Sequence, residues 1–227
     1  MLEEKHPMLD RKLIQHVLAA GWHVLPLPRA TDCFAEDLLC FSRRLGNPLL
    51  GRKGEAVESL RPQSSDEAHP CSLSALHGPN QFPLHSDGAH RFLPPQFVVL
   101  ACRCAGSRSV PTILVRFADI QMPDRDWSLC EGTPFLVSNG RRSFYMTIVQ
   151  SARKFVRFDM GCMTPASAAA ADVRETVRQK LDGCESVAID WREGDVLIID
   201  NWNVLHGRGV VDDVAPSNRH LCRVSIQ

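Results

Sequence analysis

The sequence has no surplus of charge of either sign: 26 Lys and Arg are set against 26 Asp and Glu in 227 residues. A concentrated basic surplus is the footprint of a nucleic-acid binder, so that class is set aside. No apolar run approaches the roughly 20 residues that a membrane helix needs, and the charged start Met1-Leu-Glu-Glu-Lys-His does not read as a signal peptide. Low-complexity tracts, internal repeats and a long dividing linker are also missing. What is present is ordinary globular composition, 44% hydrophobic and 23% charged, in a length that suits one domain with a full core. The nine cysteines are an odd number in a chain too large to need disulfides, and they read as reduced cytoplasmic thiols. Cys102 and Cys104 form a C-x-C pair in an apolar run. Without a second C-x2-C or H-x3-H they read as core packing, with zinc the alternative.

Periodicity divides the chain into a helical start and a β-rich remainder. Asp10 can cap a helix carrying Leu13, Ile14, Val17 and Leu18, with Gly21 as its stop, before a short strand over 22–25. Thr31 or Asp32 can cap a second helix whose stripe is Phe34, Leu38, Leu39 and Leu45 and whose stop is Gly46. Residues 62–81 read as loop. Strands are expected over 97–102, 112–117, 135–138, 144–149, 186–191, 195–200 and 220–226, interrupted by one helix over 168–181. The fold class is therefore α+β on an antiparallel core: one domain over 1–227, with 1–60 a mostly helical flank and 80–227 the β core.

Three places carry chemistry. In Phe82-Pro-Leu-His85-Ser-Asp87-Gly, strand spacing lets the His85 imidazole and the Asp87 carboxylate converge. In Asp195-Val-Leu-Ile-Ile-Asp-Asn-Trp-Asn-Val-Leu-His206-Gly-Arg, a buried strand leads through a polar turn to His206. In Arg219-His-Leu-Cys-Arg223, two arginines face the same way about 13 Å apart along an extended chain. Taken singly, His85 is a loop histidine, Asp87 a turn cap and His206 a core histidine bonded to a carbonyl. As a set, two imidazoles and one carboxylate are the facial triad that holds Fe(II) and leaves positions open. A planar guanidinium on the wall beside it suits bidentate capture of a carboxylate. Gln81 and His90 flank the H-x-D and could touch substrate. Asn201 and Asn203 read as satisfying the turn before His206, with support of the metal ligands from behind the alternative, and Arg208 as an ion pair or a catalytic contact. Arg141, Arg142, Arg153 and Arg157 read mostly as solvated faces, and Trp127, Trp191 and Trp202 as core or rim.

These phrases, with Pro94-Pro-Gln-Phe-Val-Val-Leu-Ala-Cys and Pro111-Thr-Ile-Leu, resemble the Fe(II)/2-oxoglutarate-dependent dioxygenases of the taurine dioxygenase and clavaminate synthase type. The resemblance runs from about Gly46 to the C-terminus. It implies a double-stranded β-helix, a jelly-roll core with helices outside, with His85, Asp87 and His206 as iron ligands. Thr112, 25 positions after Asp87, and Arg219, 13 after His206, would hold the far carboxylate of 2-oxoglutarate. Arg223 would lie nearer the primary substrate, with Gln81 and His90 beside it. The implied reaction couples oxidative decarboxylation of 2-oxoglutarate, with O2, to hydroxylation of a small molecule such as an amino acid or a secondary-metabolite intermediate. Asp87 is present where related halogenases carry a small residue, which favours hydroxylase chemistry. The chain departs from the family where Gly-Gly-x-Thr reads Ser109-Val-Pro-Thr112, and the stretch from His85 to His206 is short, so a lid is expected to be reduced. A cupin-type metal oxygenase and a non-catalytic metabolite-binding member are the rival readings. Arg219 speaks against the first and the intact triad against the second.

Overall fold

The protein is described here as a computed structural model covering residues 7–27, 33–62, 78, 81–107, 110–138, 142–151, 154–210 and 218–227. Helix α1 (Pro7–Ala20) and strand β1 (Trp22–Pro26) open it. The apolar spacing of α1 works as expected for Val17, which is fully buried, whereas Leu18 is 44% exposed. Helix α2 (Phe34–Ser42) buries Phe34, Leu38 and Phe41, and no side chain caps its start. The expected caps Thr31 and Asp32 lie outside the described residues, as does most of 62–81.

The β-rich remainder begins with β2 (Glu58–Leu60), β3 (Phe82–His85), β4 (Phe97–Cys104) and β5 (Thr112–Arg116). A second helix in this half is a correction to the single one expected: α3 (Asp124–Gly132) precedes β6 (Phe135–Ser138). Its mean character is polar and it starts behind Pro123, so it shows little apolar stripe; only Cys130 is buried. The expected run over 144–149 divides into β7 (Ser143–Met146) and β8 (Val149–Gln150), and β9 (Phe155–Val156) and β10 (Met163–Pro165) are short additions. Helix α4 (Ala168–Asp182) buries Ala170, Val173, Val177 and Leu181, and the Ser167 hydroxyl caps it by accepting from the Ala170 amide. Strands β11 (Val187–Ile189), β12 (Asp195–Asp200), β13 (Val204–Arg208) and β14 (His220–Ile226) complete the chain.

All strand pairs are antiparallel, and two sheets matter for the site. A five-stranded sheet runs β1-β12-β4-β14-β2 and a four-stranded one β11-β5-β13-β3. One apolar cluster takes Val98, Leu100, Leu197, Ile199 and Leu221 from the first sheet and Leu114 and Val204 from the second, so the two faces share a core. Strand alternation sends Val99, Ala101, Val196, Ile198 and Val224 to the opposite face, against Val17, Phe34 and Leu38 of the first two helices. A third cluster packs α3 and α4 over the outer side of the smaller sheets. Cys102 is core, as expected, and the eight described cysteines are free thiols. Among the described residues no helix is long and apolar enough to cross a membrane.

Candidate active site

The histidines meet because β3 and β13 are neighbours in the smaller sheet. His85 and His206 are cross-strand partners, with ring centroids 4.7 Å apart. Gly207 permits the approach: a Cβ there would sit 2.6 Å from the Phe82 carbonyl oxygen, which no side chain tolerates. Asp87 lies two residues past the end of β3, where a turn begins, and its carboxylate comes back toward both rings. His85 Nε2 is 3.8 Å from Oδ1 and His206 Nε2 is 3.7 Å from Oδ2. The three are buried, and among the described residues they form the group whose ligand atoms all lie within 4.8 Å of one another.

The three groups differ in how readily they present the form that ligates a metal. His85 Nδ1–H donates to the Pro83 carbonyl at 2.9 Å, which fixes the tautomer and leaves the Nε2 lone pair facing Asp87. Burial and the neighbouring His85 push His206 down to about 3, so its ring is neutral. Burial alone would lower His85 too, but the Asp87 carboxylate outweighs it and raises the group. For Asp87, burial opposes ionisation, yet the Arg223 guanidinium and the two imidazoles hold its carboxyl well below the usual range. Two imidazole nitrogens and one buried carboxylate suit a divalent iron ion in both charge and ligand type.

The backbone of Asp87 is held from below. Asn201 accepts from the Asp87 amide at 2.7 Å, and its Nδ2 donates to the carbonyls of Asp87 (3.0 Å) and Pro95 (2.8 Å). Asn203 behaves as the sequence suggests and bonds Asp200 at 2.7 Å within its turn. Asn201 instead reaches across the chain to the loop that carries Asp87. Asn201→Ala removes those bonds from a buried backbone, so thermal unfolding should show a loss of about 2 kcal/mol or more. Partners of this kind change metal affinity by roughly 10–100-fold, and an anaerobic Fe(II) titration that finds no weakening would remove this role.

Arg157 holds the next residues and is a correction to its expected solvated face. It is fully buried and donates to the carbonyls of Ala89, Arg91 (2.6 Å) and Phe92 (2.9 Å), with its guanidinium beside the rings of Phe144 and Phe155. The orphan carbonyls of the 88–92 turn are what draw it inward. Arg141 and Arg153 lie outside the described residues. His90, half-buried in this turn, is lowered by burial and by Arg91.

The two arginines at the end of the chain take different roles. Arg223 Nη1 contacts both Asp87 oxygens, at 2.8 and 2.9 Å, while Nε and Nη2 reach Glu58 Oε2 at 3.1 and 2.8 Å. Arg219 donates to the Val110 carbonyl, two residues before Thr112. Burial pushes Arg219 down to about 10, which still leaves it charged at neutral pH. The Thr112 hydroxyl accepts from the Trp191 indole at 3.0 Å, and so keeps its own proton to donate. Arg208 pairs across the ladder with Thr112, stacks 3.7 Å over the Phe82 ring and donates to the Gly78 carbonyl at 2.9 Å. Among the described residues it makes no ion pair; burial and Arg219 push it down to about 10. The structure thus brings His85, Asp87, His206 and Arg223 into contact, and Arg219 to the start of the strand bearing Thr112. Gln81 is exposed on the rim of a separate cleft that Phe82 and Arg208 also line. Glu58 had no signal in the sequence, because a three-residue strand shows no period.

A sequence-family model described as taurine catabolism dioxygenase TauD, TfdA family matches residues 105–225, more than half of the chain. That span includes Thr112, His206, Arg219 and Arg223. No curated protein sequence matches the chain. Among solved structures, an asparagine oxygenase in complex with Fe(II), 2S,3S-3-hydroxyasparagine and succinate is 18% identical, with a TM-score of 0.76 over 96% of this chain and 79% of that one. PvcB from Pseudomonas aeruginosa is 22% identical, with a TM-score of 0.71 over 96% of this chain and 80% of that one. The non-heme iron oxygenase OrfP, in complex with Fe and alpha-ketoglutaric acid, is 18% identical, with a TM-score of 0.72 over 97% and 79%. At these identities the structures show a shared fold. The family match, over the half of the chain that carries His206 and both arginines, decides membership: the chain belongs to the taurine catabolism dioxygenase TauD, TfdA family.

Proposed function

We propose that this chain is an Fe(II)- and 2-oxoglutarate-dependent oxygenase that hydroxylates a C–H bond of a small molecule, with His85, Asp87 and His206 as the iron ligands. The observation that carries the reading is the convergence of two imidazole nitrogens and one carboxylate, all buried and all within 4.8 Å. Iron held there would supply O2 activation, coupling decarboxylation of 2-oxoglutarate to succinate and CO2 with oxidation of the substrate. The chain's own residues set the stage for it. The Pro83 carbonyl keeps the His85 tautomer correct, and Asn201 keeps Asp87 in place. Asp87 provides the anionic donor. Arg219 and the Thr112 hydroxyl would hold the far carboxylate of 2-oxoglutarate, a guanidinium fork and a neutral donor in a partly desolvated wall.

The two facing sheets support a double-stranded β-helix, in one domain over 1–227 whose 1–60 part is a mostly helical flank that also lends β1 and β2 to the five-stranded sheet. An amino acid is the substrate class we favour; a hydroxyasparagine-bound relative of the same fold supports it. His90 and Arg223, close to Asp87, are the substrate-facing candidates, with Gln81 at the more distant rim. A reducing, cytoplasmic setting fits the odd count of cysteines.

The test is spectroscopic. Adding 2-oxoglutarate to the anaerobic Fe(II) protein should produce a weak visible absorption band that neither component gives alone, and a screen of amino acids should then release succinate. Iron bound by folded protein with no dependence on 2-oxoglutarate would favour the cupin-type alternative. No iron binding at all would end the reading.

A further inference from the structure

We propose that Glu58 is a positioning residue for the metal site: it fixes the Arg223 guanidinium and offsets its charge, so that the Asp87 carboxylate stays available to a divalent cation. The inference rests on the iron-site reading above. Its geometry is independent of that reading.

Glu58 and Arg223 are cross-strand partners on β2 and β14, so their side chains leave the sheet on the same face. One oxygen of Glu58 takes both the Nε and the Nη2 edge of the guanidinium, which leaves Nη1 aimed at Asp87. A planar guanidinium gripped on its Nε and Nη2 edge is held in orientation, so Glu58 acts together with Asp87 in fixing the position of Nη1. Charge gives the arrangement its function. Nη1 lies against both oxygens of the one anionic donor in the triad, so Arg223 and an incoming dication compete for the same carboxylate. A second carboxylate on the far edge of the guanidinium shares its charge and weakens that competition. Without it, the charge of Arg223 would be balanced by Asp87 alone, and that carboxylate would be bound more tightly to the guanidinium.

The segment before β2 is shaped for this carboxylate. Gly51 sits in a short turn, its amide donating to the Glu55 carbonyl at 2.8 Å. A Cβ on Gly51 would fall 2.5 Å from Glu58 Cδ and 2.6 Å from Oε1. Any side chain there would force the Glu58 carboxylate to shift from the position in which it holds Arg223. The chain therefore keeps a bare backbone behind Glu58, and Gly51 offers a way to disturb the contact without altering a charge.

The experiment titrates the full chain with Co(II), read by its visible absorption, and with Fe(II) under anaerobic conditions, in the absence of 2-oxoglutarate. Binding by the wild-type chain and its loss in His85→Ala and His206→Ala test the metal site itself. If the wild type binds neither ion there, the iron-site reading fails and the inference falls with it. With binding established, Glu58→Gln should raise the Kd on the order of tenfold, the size usual for coupling between linked groups. Glu58→Asp should recover part of the loss, and Gly51→Ala should weaken binding in the same direction. The thermal midpoint of each metal-free variant is followed in parallel, and a structural role alone would move the midpoint without moving the Kd. In an Arg223→Gln background, Glu58→Gln should change the Kd less than about twofold. A wild-type Kd in Glu58→Gln overturns the proposal. So does an undiminished Glu58 effect in the absence of Arg223, since Glu58 would then act on the metal directly.

Discussion

Asp87→Ala is expected to abolish turnover and to weaken Fe(II) binding by more than a hundredfold, while the chain stays folded. Residues that merely orient a ligand already change metal affinity by roughly 10–100-fold, and Asp87 is itself the proposed anionic donor. Its loss also inverts the local field. Arg223 now faces the two imidazoles with only Glu58 to balance it, so a dication entering the site meets a cation where it formerly met a carboxylate. The fold should survive, because the side chain is small and its backbone is held by Asn201 whatever the side chain. Asp87→Asn separates the charge from the shape: it keeps the size and should still lose most of the iron. His85→Ala and His206→Ala should likewise lose both iron and turnover. An anaerobic Fe(II) titration and succinate release measure the two effects, and near wild-type turnover in Asp87→Ala would take Asp87 out of the site.

Arg219→Leu should raise the 2-oxoglutarate requirement by some hundredfold to several thousandfold and leave Fe(II) binding nearly intact. The far carboxylate would be held where only 9% of Arg219 is exposed, and an unpaired charge in such a place is expensive. Removing one partner of a buried pair typically costs on the order of 3–5 kcal/mol, which converts to that range of affinity. Arg219→Lys should recover only part, since an ammonium cannot reproduce the fork. Direct binding of 2-oxoglutarate to the anaerobic Fe(II) protein is the measurement. Arg223→Leu should act mainly on the metal and the primary substrate. If Arg223→Leu carries the large 2-oxoglutarate defect and Arg219→Leu does not, their roles are exchanged. If neither moves it, the co-substrate assignment fails.

How far the sequence could be read depended on the range of the contacts involved. Val17 and Val173 lie on periodic stripes that local spacing reveals, and β6 and β12 have the bounds that alternation and turn residues suggest. His85 and His206 were legible as residue types beside a strand, although β13 itself was hidden, because Asn201-Trp-Asn203 reads as the start of a loop and the strand begins only at Val204. Arg157 and Glu58 were not legible. An arginine draws inward when carbonyls from a distant turn need donors, and a glutamate on a three-residue strand matters only through its cross-strand partner. Such needs are met in three dimensions and leave no local pattern. Asn201 is intermediate: its type suggested a turn, and only the fold shows that the turn it satisfies is that of Asp87.

The pairing of Asp87 with residues 114 and 136 positions further along the chain also says something about the order of events during folding. Closing so long a loop loses chain entropy before any contact is made, and contacts of that range form late in folding. The two imidazoles cannot meet until β13 has joined β3, and the smaller sheet must already be assembled for that. If His85, Asp87 and His206 hold iron as proposed, their full set is complete only when that long-range pairing is in place, unlike the local ligand set of a zinc finger.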